Sequence, residues 1–375
     1  MTRARRVLIT TPPGYGHILP LVPLAWAIRA AGHQVLIAAC GVSVRAAFRA
    51  GLTAVDIGIG ADIEAIQESH QERYWHSAEP EQPCQLPGSP LFSELCRKTS
   101  SRLVEAARSW RADIIIYGPE APAALAVASL LGIPAVFVSI GLAHTPELMA
   151  SRYPITDLAL DAYGLQVLPN PAAWIDMTPP SLRSSRTAGW AMRHITYGGG
   201  ETLASEDAPS ARPLVAVTLG TVIPFVFGLK PLRAVMHAAR SVDANFVVVH
   251  GTTHTRDLGT LPSNVETVSW IPIDRLLSGC CATVHHGGFG TTMASLSHGV
   301  PQMMLPLGAD HFCNAELVTR QGAGVRATPE SLDADALRHL LNDQTLRQSA
   351  FSLQREIAHM PPPSDVVSRL VDLAG

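Results

Sequence analysis

Along the first forty positions the apolar residues follow two different spacings. Val7 to Thr10 is a short β-rich run, and Thr11 to Gly16 is a loop rich in Pro and Gly. Leu21 to Ala31 carries apolar residues at helical spacing and ends at Gly32, a helix stop; Val35 to Ala39 then reads as a buried strand. The same order returns as strand Asp113 to Tyr117, helix Ala121 to Leu131 and strand Ala135 to Ser139. A small, polar stretch from Gly198 to Pro213 reads as a linker. Beyond it the alternation restarts, with strand candidates Leu214 to Leu219, Phe246 to Val249, Thr267 to Trp270, Thr283 to His285 and Gln302 to Leu305. Helical stretches around Ala334 to Leu341, Leu346 to Ala358 and Val366 to Leu373 close the chain. Two segments break the pattern. Ile63 to Gly88 is polar, aromatic and Pro-containing with no period, and Tyr153 to Pro180 holds many prolines and Trp174. Loops this long are usually functional.

This alternation predicts an α/β fold: two doubly wound parallel-sheet domains facing across a cleft, with ligands at the carboxyl ends of the strands. At 375 residues the chain suits two domains. Hydrophobic residues make up 47% and charged residues 16%, the balance of a well-buried protein. Net charge is −3 and the cations form no stripe, which argues against a nucleic-acid partner. The apolar run after Arg3, Arg5 and Arg6 is too short for a signal peptide. The segment Ile114 to Ala143 is broken by Gly118, Pro119, Glu120, Pro122 and Pro134, which argues against a membrane span. The six cysteines show no zinc spacing, and a disulfide framework is not expected in a chain of this size. The expected home is the reducing cytoplasm. Homodimer formation is left open.

The densest chemistry lies in His285-His286-Gly287-Gly288-Phe289-Gly290-Thr291-Thr292. The loop follows a strand and opens a helix, so backbone N–H groups and the positive helix end face outward together, as an anion site requires. The Gly-Lys-Ser/Thr ending of a P-loop is absent. A dinucleotide fingerprint fails too, because Met293 stands where a third glycine belongs, and Leu19 does so after Gly14 and Gly16. A βα turn without a ligand is the bland alternative.

From His286 through Gly299-Val300-Pro301-Gln302, Pro306, Asp310-His311, Asn314-Ala315 and Gly322-Ala323-Gly324, the chain resembles the nucleotide-sugar signature of family 1 glycosyltransferases. It looks most like the bacterial branch that decorates antibiotics. Gly16-His17-Ile18-Leu19-Pro20-Leu21, Ala31-Gly32-His33-Gln34-Val35, Thr218-Leu219-Gly220-Thr221 and Trp270-Ile271-Pro272 match further stations in the same order. The resemblance implies the GT-B fold, with an acceptor domain over residues 1–200, a donor domain over 213–358 and a C-terminal helix within 359–375 crossing back. It implies an inverting direct displacement with a nucleotide-sugar co-substrate and no metal or other cofactor. By position His286 contacts the diphosphate, with Gly287, Gly288, Gly290 and Thr291 completing the cradle and Thr221 donating to phosphate. Trp270 lies against the base, the Ile271 backbone reads its edge, and Asp310 binds sugar hydroxyls. Asn314 mainly shapes that loop.

An attacking hydroxyl must lose a proton, and the resemblance makes His17, at the start of a helix, the general base. Relatives often orient this histidine with an Asp where Gly118 stands here; Glu120, two residues on, is the candidate substitute. Ser139, His144 and His76 are other polar candidates. In members that use UDP-sugars a Glu holds the ribose where this chain has Ala294, which fits a TDP donor. His311 replaces a usual Gln that binds sugar hydroxyls, which fits a deoxysugar. The expected partners are thus a TDP-deoxysugar and a small natural-product aglycone. Tyr74, Trp75, Phe92, Tyr153, Trp174 and Trp190 are candidates to line the acceptor cleft with His76 and His144. Three other readings compete: a sugar-nucleotide epimerase, a non-catalytic nucleotide-binding accessory protein, and an NAD-dependent oxidoreductase. A C-glycosyltransferase on a polyketide is a variant of the first reading.

Overall fold

The computed structural model describes residues 3–75, 81–85, 88–153, 167–183, 189–200, 212–251 and 258–375. The first sheet is built from β1 (Arg6–Thr10), β2 (Gln34–Ala39), β3 (Ala54–Asp56), β4 (Ile114–Tyr117), β5 (Ala135–Val138), β6 (Ala173–Asp176) and β7 (Trp190–Ala191). Its seven strands lie in the order β3-β2-β1-β4-β5-β6-β7. The second sheet contains β8 (Leu214–Thr218), β9 (Asn245–Val249), β10 (Val265–Val268), β11 (Ala282–His285), β12 (Gln302–Met304) and β13 (Gly324–Arg326). Its order is β10-β9-β8-β11-β12-β13. All pairings are parallel, with Leu8 opposite Leu36 on one side and Ile115 on the other.

Helices cover both faces of each sheet, so the central strands are buried throughout and read as unbroken apolar runs. Leu8, Ile9, Ile115, Ile116, Val136 and Phe137 are fully buried. The helix Pro363–Leu373 packs against Val22–Ala30 beside the first sheet, burying Val366, Val367 and Leu370. Strand order reverses direction at the β1/β4 junction of one sheet and the β8/β11 junction of the other. Open α/β sheets bind ligands at such switch points, because the loops that leave neighbouring strands there diverge. His17 follows β1, Glu120 follows β4, Thr221 follows β8 and His286 follows β11.

Two sequence-based expectations need correction, and one further helix has no counterpart among them. Part of the aperiodic Ile63 to Gly88 stretch is a helix, Ile63–Trp75. Its buried side is sparse, because Ile63 and Ile66 are followed on the same face only by His70, paired with Glu94 at 2.7 Å, and by Tyr74. The run of 21 residues Pro90–Trp110 is also helical, and Ser89 caps it by accepting from the Phe92 N–H. Last, Cys84 and Cys313 form a disulfide across a sequence separation of 229, with Cα atoms 4.6 Å apart. Only the tertiary fold brings the two together. Most of the linker read between Gly198 and Pro213 lies outside the described residues. Among the described residues no helix is long and apolar enough to cross a membrane.

Closing so long a loop removes entropy from the unfolded chain, so Cys84→Ser should lower stability by roughly 2–5 kcal/mol. Thermal unfolding with and without dithiothreitol checks this. A reductant effect that survives in C84S would show that another bond is responsible.

The candidate donor and acceptor cleft

The donor side is organised by the turn after β11. His285 is fully buried, and its Nδ1 accepts from the Gly287 N–H at 3.1 Å. Its Nε2 is therefore the protonated nitrogen and donates to Gln302 Oε1 at 2.7 Å. Burial pushes this ring down to about 3. The following His286 ring is wedged between two glycines. A Cβ on Gly220 would lie 2.9 Å from it and one on Gly288 2.4 Å, so neither position has room for a side chain. Gly220 also has φ +69°, a left-handed value that favours glycine. Burial holds His286 neutral, at about 4, and its Nδ1 is buried without a hydrogen-bond partner. The Thr218 carbonyl lies beside this ring without closing a bond of good geometry. Gly288 caps the helix Phe289–Ser297, whose first turn carries Gly290 and the half-buried Thr291. Unfilled N–H groups at this helix start can receive an anion.

Asn314 locks this loop in place. It is fully buried on the helix His311–Arg320. Its side-chain amide donates to the Gly287 carbonyl at 2.9 Å and to Asp310 Oδ2 at 2.8 Å. Its carbonyl accepts from the Leu142 N–H, in the loop after β5, at 3.2 Å. One side chain thus joins the donor loop, the expected sugar-binding carboxylate and the acceptor side. Asp310 is pushed up to about 6, by burial first, with Asn314 opposing.

A series of ring contacts also crosses from one sheet to the other. His17 meets Phe92 edge-on at 5.5 Å, and Phe92 meets Tyr74 at 5.3 Å. Tyr74 packs on Trp75 at 5.3 Å, Trp75 on His311 at 5.2 Å, and His311 on His286 at 4.7 Å. Tyr15, two residues before His17, lies 5.5 Å from Trp270, whose Nε1 donates to the Gly198 carbonyl at 3.1 Å. Trp270 is 47% exposed and so keeps surface for a ligand. Thr221 and Ile271 are half-buried nearby in sequence order at the ends of β8 and β10. Ala294 is fully buried against Ala216, Leu276 and Leu277, so no carboxylate faces the cleft from that position.

His17 is half-buried, and desolvation lowers it to about 4, so a neutral ring faces the cleft at pH 7. Glu120 does not support it. The carboxylate is buried and paired with Arg152 at 2.6 Å, with both side chains almost fully enclosed. Burial raises the Glu120 carboxyl and Arg152 lowers it, the burial contribution being the larger. Tyr74 hydrogen-bonds the same guanidinium. No local pattern points to Arg152, because its value depends on three segments meeting. His144, by contrast, is buried within electrostatic reach of His17, and neither ring nitrogen has a hydrogen-bond partner. The Ile140 carbonyl approaches it without closing a bond of acceptable geometry.

Several aromatic candidates fall elsewhere. Tyr153 is a core residue, 1% exposed. Trp174 fills the space beside Gly189, and Trp190 stacks with Arg369 of the terminal helix at 4.1 Å. Ser139 donates to the Gly141 carbonyl and serves its own loop. His76 lies outside the described residues.

Two facing parallel sheets of this order have the GT-B architecture of glycosyltransferases, with the His286 turn on one side and His17 on the other. Residues 26–220 match the Erythromycin biosynthesis protein CIII-like N-terminal domain and residues 233–373 its C-terminal domain. The chain belongs to this family of antibiotic-pathway glycosyltransferases. It is 34% identical to the elloramycin glycosyltransferase ElmGT of Streptomyces olivaceus, over 97% of this chain and 96% of the relative. The crystal structure of the glycosyltransferase SnogD from Streptomyces nogalater superposes with a TM-score of 0.84 at 34% identity, covering 100% of each chain. SsfS6 of Streptomyces sp. SF2575, complexed with thymidine diphosphate, gives 0.80 at 28% identity over 98% of this chain and 99% of that one.

Replacing Asn314 by Ala strands a buried carbonyl and a buried N–H, so it should cost about 2–4 kcal/mol in urea unfolding. A cost under about 1 kcal/mol would show that the three bonds do not hold the loop. His17, His144, His194, His285, His286 and His311 all titrate below their ordinary range because burial disfavours imidazolium. Their folded pKa values are depressed, so their stability contribution is present above about pH 6.5 and is lost as pH falls toward about 4. Asp310 runs the opposite way, its contribution fading as pH rises through about 6. Six depressed rings outweigh the two raised carboxyls, Asp310 and Glu120, and denaturant midpoints should therefore fall steeply between about pH 6.5 and 4. A flat profile there would contradict the burial of these rings.

Proposed function

We propose that the protein transfers a deoxysugar from a TDP-sugar to a hydroxyl of a small natural-product aglycone, with inversion and without a metal. The observation that carries this reading is the meeting of His17 and the His286 turn within one set of ring contacts, from opposite sheets. The donor diphosphate fits the turn at Gly287, Gly288, Gly290 and Thr291, where helix-start N–H groups offset its charge and His286 donates one further hydrogen bond. Thr221 reaches the phosphates from the loop after β8. Trp270 covers the base and the Ile271 backbone reads its edge. Asp310 accepts from sugar hydroxyls.

A TDP donor is supported by Ala294, which offers no acceptor for a ribose 2′-hydroxyl, and by the thymidine diphosphate complex of the related SsfS6. His311 packs tilted against Trp75 and edge-on to His286, and an imidazole there presents fewer hydrogen-bonding groups than an amide, which suits a sugar lacking hydroxyls. Neutral His17 takes the acceptor proton as the acceptor oxygen attacks the anomeric carbon, and TDP departs into the cradle opposite. Tyr74, Trp75, Phe92 and His144 wall the acceptor side.

His17→Ala should lower turnover by roughly 10²- to 10⁴-fold while leaving TDP affinity nearly intact. His286→Ala should instead weaken TDP binding. Calorimetric titration of TDP and UDP into both variants, beside turnover with a panel of TDP-deoxysugars and aglycones, separates the two roles. Tighter UDP than TDP binding overturns the donor assignment, and identical behaviour of the two variants overturns the division of labour.

A further inference from the structure

We infer that Arg152, which lies on the first sheet's side of the cleft, is a positioning residue for the donor-sugar loop Gly308 to His311 on the other side. It acts through Tyr74 and Trp75, the last two residues of the helix Ile63–Trp75. That role rests on the proposed glycosyl transfer, in which Asp310 of this loop accepts from sugar hydroxyls.

Three acceptor-side segments converge on Arg152, the last residue of the helix Pro146–Arg152. Its Nη1 donates to Glu120 Oε1 at 2.6 Å, in the loop after β4, and both side chains are almost fully enclosed. The same guanidinium donates to the Tyr74 hydroxyl oxygen. A Cβ on Gly88 would lie 2.7 Å from the Arg152 carbonyl oxygen, so the chain just before the Ser89 cap rests on the arginine's backbone. A guanidinium is a flat, rigid fork of donors, able to hold a carboxylate and a hydroxyl in fixed relation. A lysine ammonium keeps the charge but lacks that geometry.

Tyr74 needs such a hold. Among the described side chains of its helix Ile63 and Ile66 are the buried apolar ones, and both lie near its start, so hydrophobic burial does little to fix the last turn. Yet that turn reaches the second sheet's domain. Trp75 touches Tyr74 ring to ring at 5.3 Å, packs on His311 at 5.2 Å and lies against the second core. Its carbonyl oxygen and ring take the space that a Cβ on Gly308 would need. The linkage from Arg152 therefore ends on Gly308 and His311, at the two ends of the loop that carries Asp310. Ala309, between them, has φ +49°, a left-handed value unfavourable for a residue with a Cβ. Such a backbone keeps its shape only while its surroundings hold it. Asn314 and the Cys84–Cys313 bond hold the helix that follows, and Trp75 covers the loop itself.

Calorimetric titration of TDP-rhamnose and of TDP into Arg152→Lys, Tyr74→Phe and the double variant tests this. Arg152→Lys keeps a positive charge opposite Glu120, and Tyr74→Phe keeps the ring on Trp75 and Phe92 while removing the hydroxyl. A hydrogen bond to a charged group is worth about tenfold or more where it is made, so each single variant should bind TDP-rhamnose about three- to tenfold more weakly. TDP carries no sugar for this loop to meet, and its affinity should change less than about twofold. The double variant should bind TDP-rhamnose no more weakly than the weaker single variant, as two parts of one linkage behave. Equal losses for TDP and TDP-rhamnose, or single losses that multiply in the double variant, overturn the inference. Should Arg152→Lys fail to fold, Tyr74→Phe carries the same comparison. Amide hydrogen exchange of the unliganded protein gives a readout free of donor. Exchange from Leu307 to Phe312 should quicken in the variants while the helix Ala334–Asn342 stays as in the parent, and an unchanged loop overturns the inference. A loop that responds in this way in a protein binding neither TDP nor TDP-rhamnose sinks the glycosyl-transfer reading and leaves the hold of Arg152 on the loop standing.

Discussion

Asn314 holds the site together. Its amide donates to the Gly287 carbonyl and to Asp310, and its carbonyl accepts from the Leu142 N–H on the opposite side. A fully buried amide left unpaired is costly, so these three groups are bound to keep their spacing. The His286 turn, the Asp310 carboxylate and the loop that carries Leu142 and His144 are thereby fixed relative to one another. The Cys84–Cys313 bond adjoins the same helix, one residue from Asn314, and pins a second acceptor-side segment to it.

A second feature is the low dielectric that the fold creates around its histidines. Burial is the largest cause of every depressed histidine pKa in the cleft, and three of these rings (His285, His286 and His311) lower one another further or sit edge to edge. In such surroundings a diphosphate feels the helix-start N–H groups more strongly than it would in water. The same dryness explains why Glu120 and Arg152 occur as a pair. Removing either partner would leave an uncompensated charge inside. That pair keeps the Glu120 carboxylate from His17, and Gly118 offers no side chain in its place.

The order of the strands says where the cleft must be, and loop content says what it does. Both sheets reverse direction beside their first strand, and the loops leaving β1, β4, β8 and β11 open at those two points. The β11 loop is short and rich in glycine because the His286 ring occupies the space that side chains at 220 and 288 would need. The acceptor-side loops are longer and aromatic. Their packing, Phe92 on Tyr74 and Trp75 on His311, is what connects the two halves of the chemistry.

Much of this was legible in the residues by themselves. Runs such as Val7 to Thr10, Ile114 to Tyr117 and Thr283 to His285 declare parallel strands because both their faces must be apolar. The glycines after His286 declare a close turn into a helix, where a side chain at 288 would meet the histidine ring. Short edge strands such as β3, β7 and β13 escaped, since two or three residues carry no period. So did the helix Ile63–Trp75, whose apolar stripe is too thin to stand out. What the sequence could not contain was distance. That Glu120 turns to Arg152 rather than His17, that Trp190 serves the terminal helix, and that Cys84 finds Cys313 all depend on segments far apart in the chain meeting in space. Local patterns are set by neighbours a few residues away, whereas a site is set by which side chains share a buried volume, and only the packed fold decides that.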